Sequence, residues 1–254
     1  MSTPPFYCIA HQPFDWQLPE FMTMIGTGGY VPERGIALSV SYPDLAFKNQ
    51  YLGEYVALYL IRDQLKAAGG EGFVGFCHYR RFALTQPVGT LRGFNYYAAA
   101  AIMPHLQPHH FMGDGATPII GAPFDFGRSV LLQYASNGNG NSRDLLMFFG
   151  LAEELGVIGS EEAASFLSGN VFIPAPTVAF IPAAWFIQII DALELVAERF
   201  HRDFFIPREG YLERSLAFCC ERLQALLLAR LATQHGWDKV IAHPQMLLAD
   251  RLPY

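Results

Sequence analysis

Phe73-Val74-Gly75-Phe76-Cys77-His78-Tyr79-Arg80-Arg81-Phe82 changes character halfway along. Its first half is an apolar run short enough for a buried strand, and the residues that follow are polar or charged. Upstream, apolar residues recur at Leu52, Tyr55, Val56, Tyr59, Leu60 and Leu65, the spacing of one helix face between Lys48 and Ala68, and Gly69-Gly70 stops that helix. The order is therefore helix, buried strand, charged strand end. Further back, Phe6 to Ala10 reads as a first buried strand running into His11-Gln12-Pro13, and the Gly- and Pro-rich stretch from Asp15 to Ala46 as loops and short strands. Downstream, Pro118 to Ala122, Asn170 to Ile173 and Val178 to Ile181 read as strands. Arg143 to Leu155, a turn from Ser160, Pro182 to Arg199 and Leu212 to Gln234 read as helices. Gly93 to His110 fits either a short helix or a loop. Ser136 to Ser142, with its repeated Asn-Gly, reads as a mobile turn that could close over a ligand. This alternation predicts a three-layer α/β domain with a mainly parallel sheet and helices on both faces.

Composition removes several classes of function. The chain has 254 residues, 52% hydrophobic and 16% charged, enough to bury a large core. Its net charge of −6 is dispersed, and no Lys/Arg run could track a phosphate backbone, so no nucleic-acid partner is expected. Cys8, Cys77, Cys219 and Cys220 form neither a CxxC pair nor a zinc spacing and are read as reduced, buried thiols. Met1 to Ala10 lacks the pattern of a signal peptide, and the apolar runs are too short to span a bilayer. The expectation is a cytoplasmic protein, with peripheral contact at the inner face of the membrane left open. The aromatic group Trp185, Phe186, Phe200, Phe204 and Phe205 could be core, a dimer contact or a membrane patch.

Two guanidinium groups at the end of a buried strand require a reason. A diphosphate supplies one, because the planar arginine fork matches phosphate oxygens and stays charged at any working pH. Structural salt bridges supply another, with His78 satisfying a backbone carbonyl. Asn49, Glu54 and Tyr59, followed by Cys77-His78-Tyr79-Arg80-Arg81-Phe82, resemble the signature of the family catalogued as domain of unknown function 4422. Gly169-Asn170-Val171-Phe172-Ile173 and Cys220-Glu221-Arg222-Leu223 are similar to its C-terminal motifs, and Met24-Ile25-Gly26 is a weaker echo; Ala83 to Ser168 departs from it. That family occurs in bacterial capsular and O-antigen polysaccharide synthesis. The resemblance implies a single Rossmann-like nucleotide-sugar transferase domain over residues 1–254. It also implies a hexosyltransferase activity, a UDP-linked sugar as the expected donor and a surface-glycan or lipid-linked acceptor.

Transferases of that fold usually carry an Asp-x-Asp pair that holds a metal on the donor diphosphate. This chain has none, and His78-Tyr79-Arg80 stands in the corresponding place by order of elements. Fixed arginine charge would then do part of the metal's work. Mg or Mn held by Asp125, Asp144 or a histidine stays open, since scattered carboxylates can meet in space.

The candidate catalytic residues are His78, Arg80, Arg81, Asp144 and Glu221, with Glu213 a further candidate base. Substrate contacts are expected from His11, Gln12, Asn49, Tyr79 and Asn170. Glu54, Tyr59 and Arg222 are expected to support the site without touching substrate, Glu54 and Tyr59 by bracing the His-Tyr-Arg-Arg segment. The asparagines could equally cap helices or close turns, and each carboxylate could be a solvated helix residue. His105, His109 and His110, broken by prolines, read as an exposed loop rather than a metal site. A non-catalytic nucleotide- or glycan-binding homologue and a phosphate hydrolase using His78 are the alternative readings.

Overall fold

The structure, a computed structural model, describes residues 3–136 and 141–249; the Asn-Gly run at 137–140 lies outside the described residues. The N-terminal half runs β1 (Phe6–Ala10), β2 (Met22–Gly26), β3 (Ile36–Ala37), α1 (Leu38–Ser41), α2 (Pro43–Phe47), α3 (Asn49–Leu52), α4 (Tyr55–Ala67) and β4 (Phe73–His78). Then come β5 (Arg81–Phe82), β6 (Thr90–Arg92), β7 (Asn95–Ala98), a 3-10 turn at Ala100–His105, α5 (Pro108–Met112), β8 (Ile119–Gly121) and β9 (Phe124–Asp125). The remainder is α6 (Val130–Ser136), α7 (Ser142–Glu154), α8 (Ser160–Ser168), β10 (Val171–Phe172), β11 (Ala179–Pro182), α9 (Ala183–Asp203), a 3-10 turn at Gly210–Arg214, α10 (Ser215–His235), β12 (Ile241–His243) and β13 (Gln245–Leu248).

One sheet draws its strands from both ends of the chain. Its main path runs β3-β2-β1-β4-β11-β8-β12, parallel except for β11, which is antiparallel to both of its neighbours. The chain winds outward from β1 to β3, then returns to place β4 on the other side of β1. The strand order therefore reverses between β1 and β4, which opens a crevice at their carboxyl ends. A branch leaves β4 through the hairpin to β5 and continues as β13, β7 and β6.

Strand alternation sorts the core into two halves. Val74 and Phe76 of β4, with Ile9 of β1, join the cluster that packs under α4, α7, α9 and α10. Cys77, with Phe6, Cys8 and Ala10, faces the opposite side, where α5, the Ala100–His105 turn and the sheet branch close over the sheet. Helices thus lie on both faces, but the long ones all lie on one. Each fully buried Phe or Leu contributes about 1.5–3 kcal/mol through burial. Gly75 is required by this packing: a Cβ there would stand 2.0 Å from Cδ2 of Phe6 on the neighbouring strand.

Several element bounds differ from the sequence expectation, each for a local reason. The helix expected from Lys48 to Ala68 is broken at Gly53, whose φ of 54° ends α3, and Glu54 restarts the chain as the cap of α4. The expected helix from Leu212 begins with a 3-10 turn and becomes α-helical at Ser215. The histidine segment is helical rather than a loop: Gln107 and His110 form a reciprocal cap at the start of α5, with the Gln107 N–H donating to His110 Nδ1 at 2.9 Å. Of the aromatic group on α9 and its end, Phe186 and Phe200 are buried, while Trp185, Phe204 and Phe205 pack against the same core. All four cysteines are free and buried. No helix among the described residues is long and apolar enough to cross a membrane.

Candidate active site

A cleft of about 290 Å³ opens at the carboxyl ends of β1, β2 and β4, where the strand order reverses. Ile9 and His11 line it from β1, Thr27 from the end of β2, and His78-Tyr79-Arg80-Arg81 from β4 and its turn. Glu54 contributes from the start of α4, and Ala217, Phe218 and Glu221 from the start of α10. Ala175, Thr177 and Arg214 complete the wall. Its formal charges are the three arginines Arg80, Arg81 and Arg214 and the two glutamates Glu54 and Glu221, so the lining attracts an anion.

The four-residue strand end divides into distinct tasks. Tyr79 is 5% exposed and caged by aromatic rings, stacked on Phe14 at 5.3 Å and Trp16 at 5.9 Å between centroids. Its hydroxyl accepts from Gln12 Nε2 at 3.0 Å and its carbonyl from Trp16 Nε1 at 2.8 Å. Tyr79 and Gln12, both expected to touch substrate, are hydrogen-bonded to each other, and of the two Tyr79 lines the cleft. Arg80 lies exposed over the Tyr79 ring. Arg81 pairs through its backbone with His78 in the hairpin to β5, so its position is set by the sheet. Burial lowers the Arg81 pKa, opposed by the nearby Glu221 carboxylate, yet a guanidinium stays protonated at neutral pH.

His78 shares a hydrogen bond with Thr177 Oγ1 at 3.1 Å, and Glu54 Oε1 stands 3.7 Å from the same nitrogen. Burial, reinforced by Arg81, pushes its pKa down to about 3. The imidazole is neutral at physiological pH, so the approach of Glu54 is a polar contact rather than an ion pair. A base this weak is also mismatched to proton transfer near neutrality. His78 is therefore a fixed hydrogen-bonding group, and its expected use as an acid or nucleophile has no support in its surroundings. His11 is likewise shifted down, by burial and then by Arg214 and Arg80.

Not every expected residue reaches the cleft. Asp144 is 3% exposed in α7 and binds Arg208 Nη2 at 2.6 Å, which makes it one half of a buried structural pair rather than a base. Asn170 donates from Nδ2 to Asp125 Oδ1 at 2.7 Å and clasps the β9–β10 ribbon. Asp125 also accepts from the Gly127 N–H, so its carboxylate is already occupied. Tyr59 is buried in α4 with Arg62 against its ring and braces the helix layer rather than the cleft. Asn49 stays near the rim: a Cβ on Gly28, just past β2, would stand 3.5 Å from its Nδ2 and 3.8 Å from His11 Cβ. Glu213 is exposed and outside the lining.

Glu221 lines the cleft, and Arg222 is paired to it. Arg222 Nη1 donates to Glu221 at 2.7 Å, Nη2 donates to Gln133 Oε1 at 2.9 Å, and the guanidinium lies over Phe172. That clamp aims the Glu221 carboxylate into the cleft. Sequence reading missed Thr27, Thr177 and Arg214, because each is brought to the strand ends by an element remote in the chain. Ala175 carried a faint signal in Pro174-Ala175-Pro176. Its φ of 44° is rare outside glycine, and its carbonyl accepts from the buried Gln245 at 2.9 Å.

Among the described residues no group of three or more His, Cys, Asp or Glu is placed to hold a metal ion. At the cleft, Glu54 and Glu221 stand among three guanidinium groups, a poor donor set for a resident divalent cation. The residues present do not fit such a metal.

No family model matches the chain, and neither does any curated protein. Among solved structures the fold is similar to that of WbbM, a bifunctional glycosyltransferase solved in its apo form, with a TM-score of 0.80 at 15% identity over 98% of this chain. The match covers 46% of that protein, so this chain spans about half its length. At this identity the likeness establishes a shared α/β Rossmann-like fold.

Proposed function

We propose that the chain is a nucleotide-sugar-dependent glycosyltransferase that moves a hexose, from a UDP-linked donor as the first candidate, to a surface-glycan or lipid-linked acceptor. The observation that carries this reading is the convergence of Arg80, Arg81 and Arg214 on one crevice at the β1/β4 reversal, the place where open α/β sheets bind nucleotides. The shared fold with a glycosyltransferase and the strand-end resemblance point the same way.

In this reading His11 and Asn49, at the β1–β2 side, meet the nucleoside, and the arginines meet the diphosphate. Transfer breaks the bond between the anomeric carbon and the phosphate oxygen, whose electron pair leaves with the nucleoside diphosphate. The acceptor oxygen forms the new bond to that carbon and gives its proton to Glu221. Negative charge therefore grows on the diphosphate, where preorganised guanidinium groups stabilise it without reorganisation. His78 stays neutral and holds Thr177, keeping the far wall of the cleft in place.

The test is a melting-temperature screen of the purified chain with UDP, GDP, CDP and TDP, each with and without Mg or Mn. One nucleotide should raise the melting temperature without added metal, and the same nucleotide should be released from its sugar when acceptor is supplied. No shift with any of the four would remove the reading. Binding without release under any acceptor would favour the non-catalytic homologue.

A further inference from the structure

On the far side of Arg81 and Glu221 lies a second depression, of about 340 Å³. It shares Arg81, Ala175, Phe218 and Glu221 with the cleft, so the two are neighbours across one wall. Its other sides carry Phe94, Phe126, Phe172, Gln133 and Arg222. Phe126 stacks on Phe172 at 4.4 Å between centroids and meets Phe94 at 5.4 Å, which gives the floor a joined aromatic surface. The platform is built rather than incidental. Asn170 clasps Asp125 through its side chain and accepts the Phe126 N–H at its carbonyl at 2.9 Å, and so holds the ribbon that presents the rings.

A second observation is independent of the aromatic surface. Arg222 is 2% exposed and two of its nitrogens are bonded, but its Nε has no partner among the described residues. The guanidinium lies over Phe172 and borders the depression, so its charge is held at the margin of the aromatic floor. Rings to receive a C–H face, with guanidinium, amide and carboxylate groups at the margin, are the complement of a pyranose. Hexose rings present an apolar face bordered by hydroxyls. A nucleobase is the other flat ligand such rings could take, but His11 and Asn49 mark the nucleoside end on the opposite side of the arginines.

We infer that this depression is the acceptor subsite and that it takes a hexose residue, with Phe94 and Phe126 under the ring and Glu221, common to both cavities, at the junction with the donor. The inference rests on the transferase reading above. It is tested by saturation-transfer NMR of methyl β-D-galactopyranoside and methyl β-D-glucopyranoside with the protein held in saturating UDP. UDP affinity is measured separately by calorimetry.

At least one hexoside should show transfer to its ring protons in the wild type. In both Phe94→Ala and Phe126→Ala its affinity should fall by about tenfold, with UDP affinity unchanged. Absence of transfer while UDP binds would overturn the inference and leave the donor reading standing. So would unchanged hexoside binding in both variants, or displacement of the hexoside by uridine. Failure of UDP and the other nucleoside diphosphates to bind would remove the parent reading, and this one with it.

Discussion

Two sets of arginines in this molecule face opposite situations. Arg62, 7% exposed at its side chain, ties α4 to α9 through Asp191 and Glu194 and also pairs with Asp63 on its own helix, and Arg222 is clamped by Glu221 and Gln133. Arg80, Arg81 and Arg214 line the cleft and form no ion pair among the described residues. A protein that buries arginine for stability gives it a carboxylate, as the first set shows. The second set gathers like charges at a strand-end crevice, where Glu54 and Glu221 stand nearby but form no ion pair with any of them. The difference separates arginines that hold the fold from arginines that wait for an anion.

Substitutions should pull the two sets apart. The largest effect belongs to the carboxylate between the cavities: Glu221→Gln should lower kcat by about 10²–10⁴-fold while nucleoside diphosphate affinity stays near wild type, read by steady-state kinetics beside calorimetry. Next, Arg81→Ala or Arg214→Ala should weaken diphosphate binding by about ten- to a hundredfold, the range for a lost charge-assisted hydrogen bond, with no loss of melting temperature. Arg62→Ala should do the reverse. It should cost about 1–3 kcal/mol in a denaturant titration, modest because its partners are partly exposed and water replaces the bond, and it should leave nucleotide affinity untouched.

The smallest effect, taken per pH unit, concerns acid stability. His78 has a folded pKa of about 3 against an ordinary value of 6.5, so between these values the unfolded chain binds the proton and the folded chain does not. Stability should fall as pH drops through that window, by at most about 1.4 kcal/mol per pH unit from this group. His78→Gln should flatten that slope in urea titrations at a series of pH values. An unchanged slope would mean that the imidazole is not held neutral.

How much of this was legible in the sequence depends on the kind of signal each residue carried. The apolar run from Phe73 to Cys77 announced a buried strand, and its polar end fell at the cleft because a parallel strand delivers its carboxyl end to the crevice. Glu54 could be placed on a helix, but the break at Gly53 that swings it to the cleft follows from one backbone angle. Asp144 and Glu221 look alike as acids on amphipathic helices. Both acquire an arginine partner, Arg208 and Arg222, and only tertiary packing buries the Asp144 carboxylate while leaving Glu221 on the wall of the cleft. The hydrogen bond between Tyr79 and Gln12 joins two strand ends remote in the chain, so no local pattern announces it. Thr177 sits in a connecting segment with no periodicity to reveal which way it faces, and Arg214, inside the helix expected from Leu212, stands in a 3-10 turn whose geometry turns it to the cleft.

The most direct test of the central claim is calorimetric titration of the nucleoside diphosphate that most raises the melting temperature, set against its nucleoside without phosphates, for wild type, Arg80→Ala, Arg81→Ala and Arg214→Ala. The wild type should prefer the diphosphate strongly, and the Arg81 and Arg214 variants should lose most of that preference while still binding the nucleoside. Wild-type preference for the diphosphate in all three variants would contradict it, and would return these arginines to the class of Arg62.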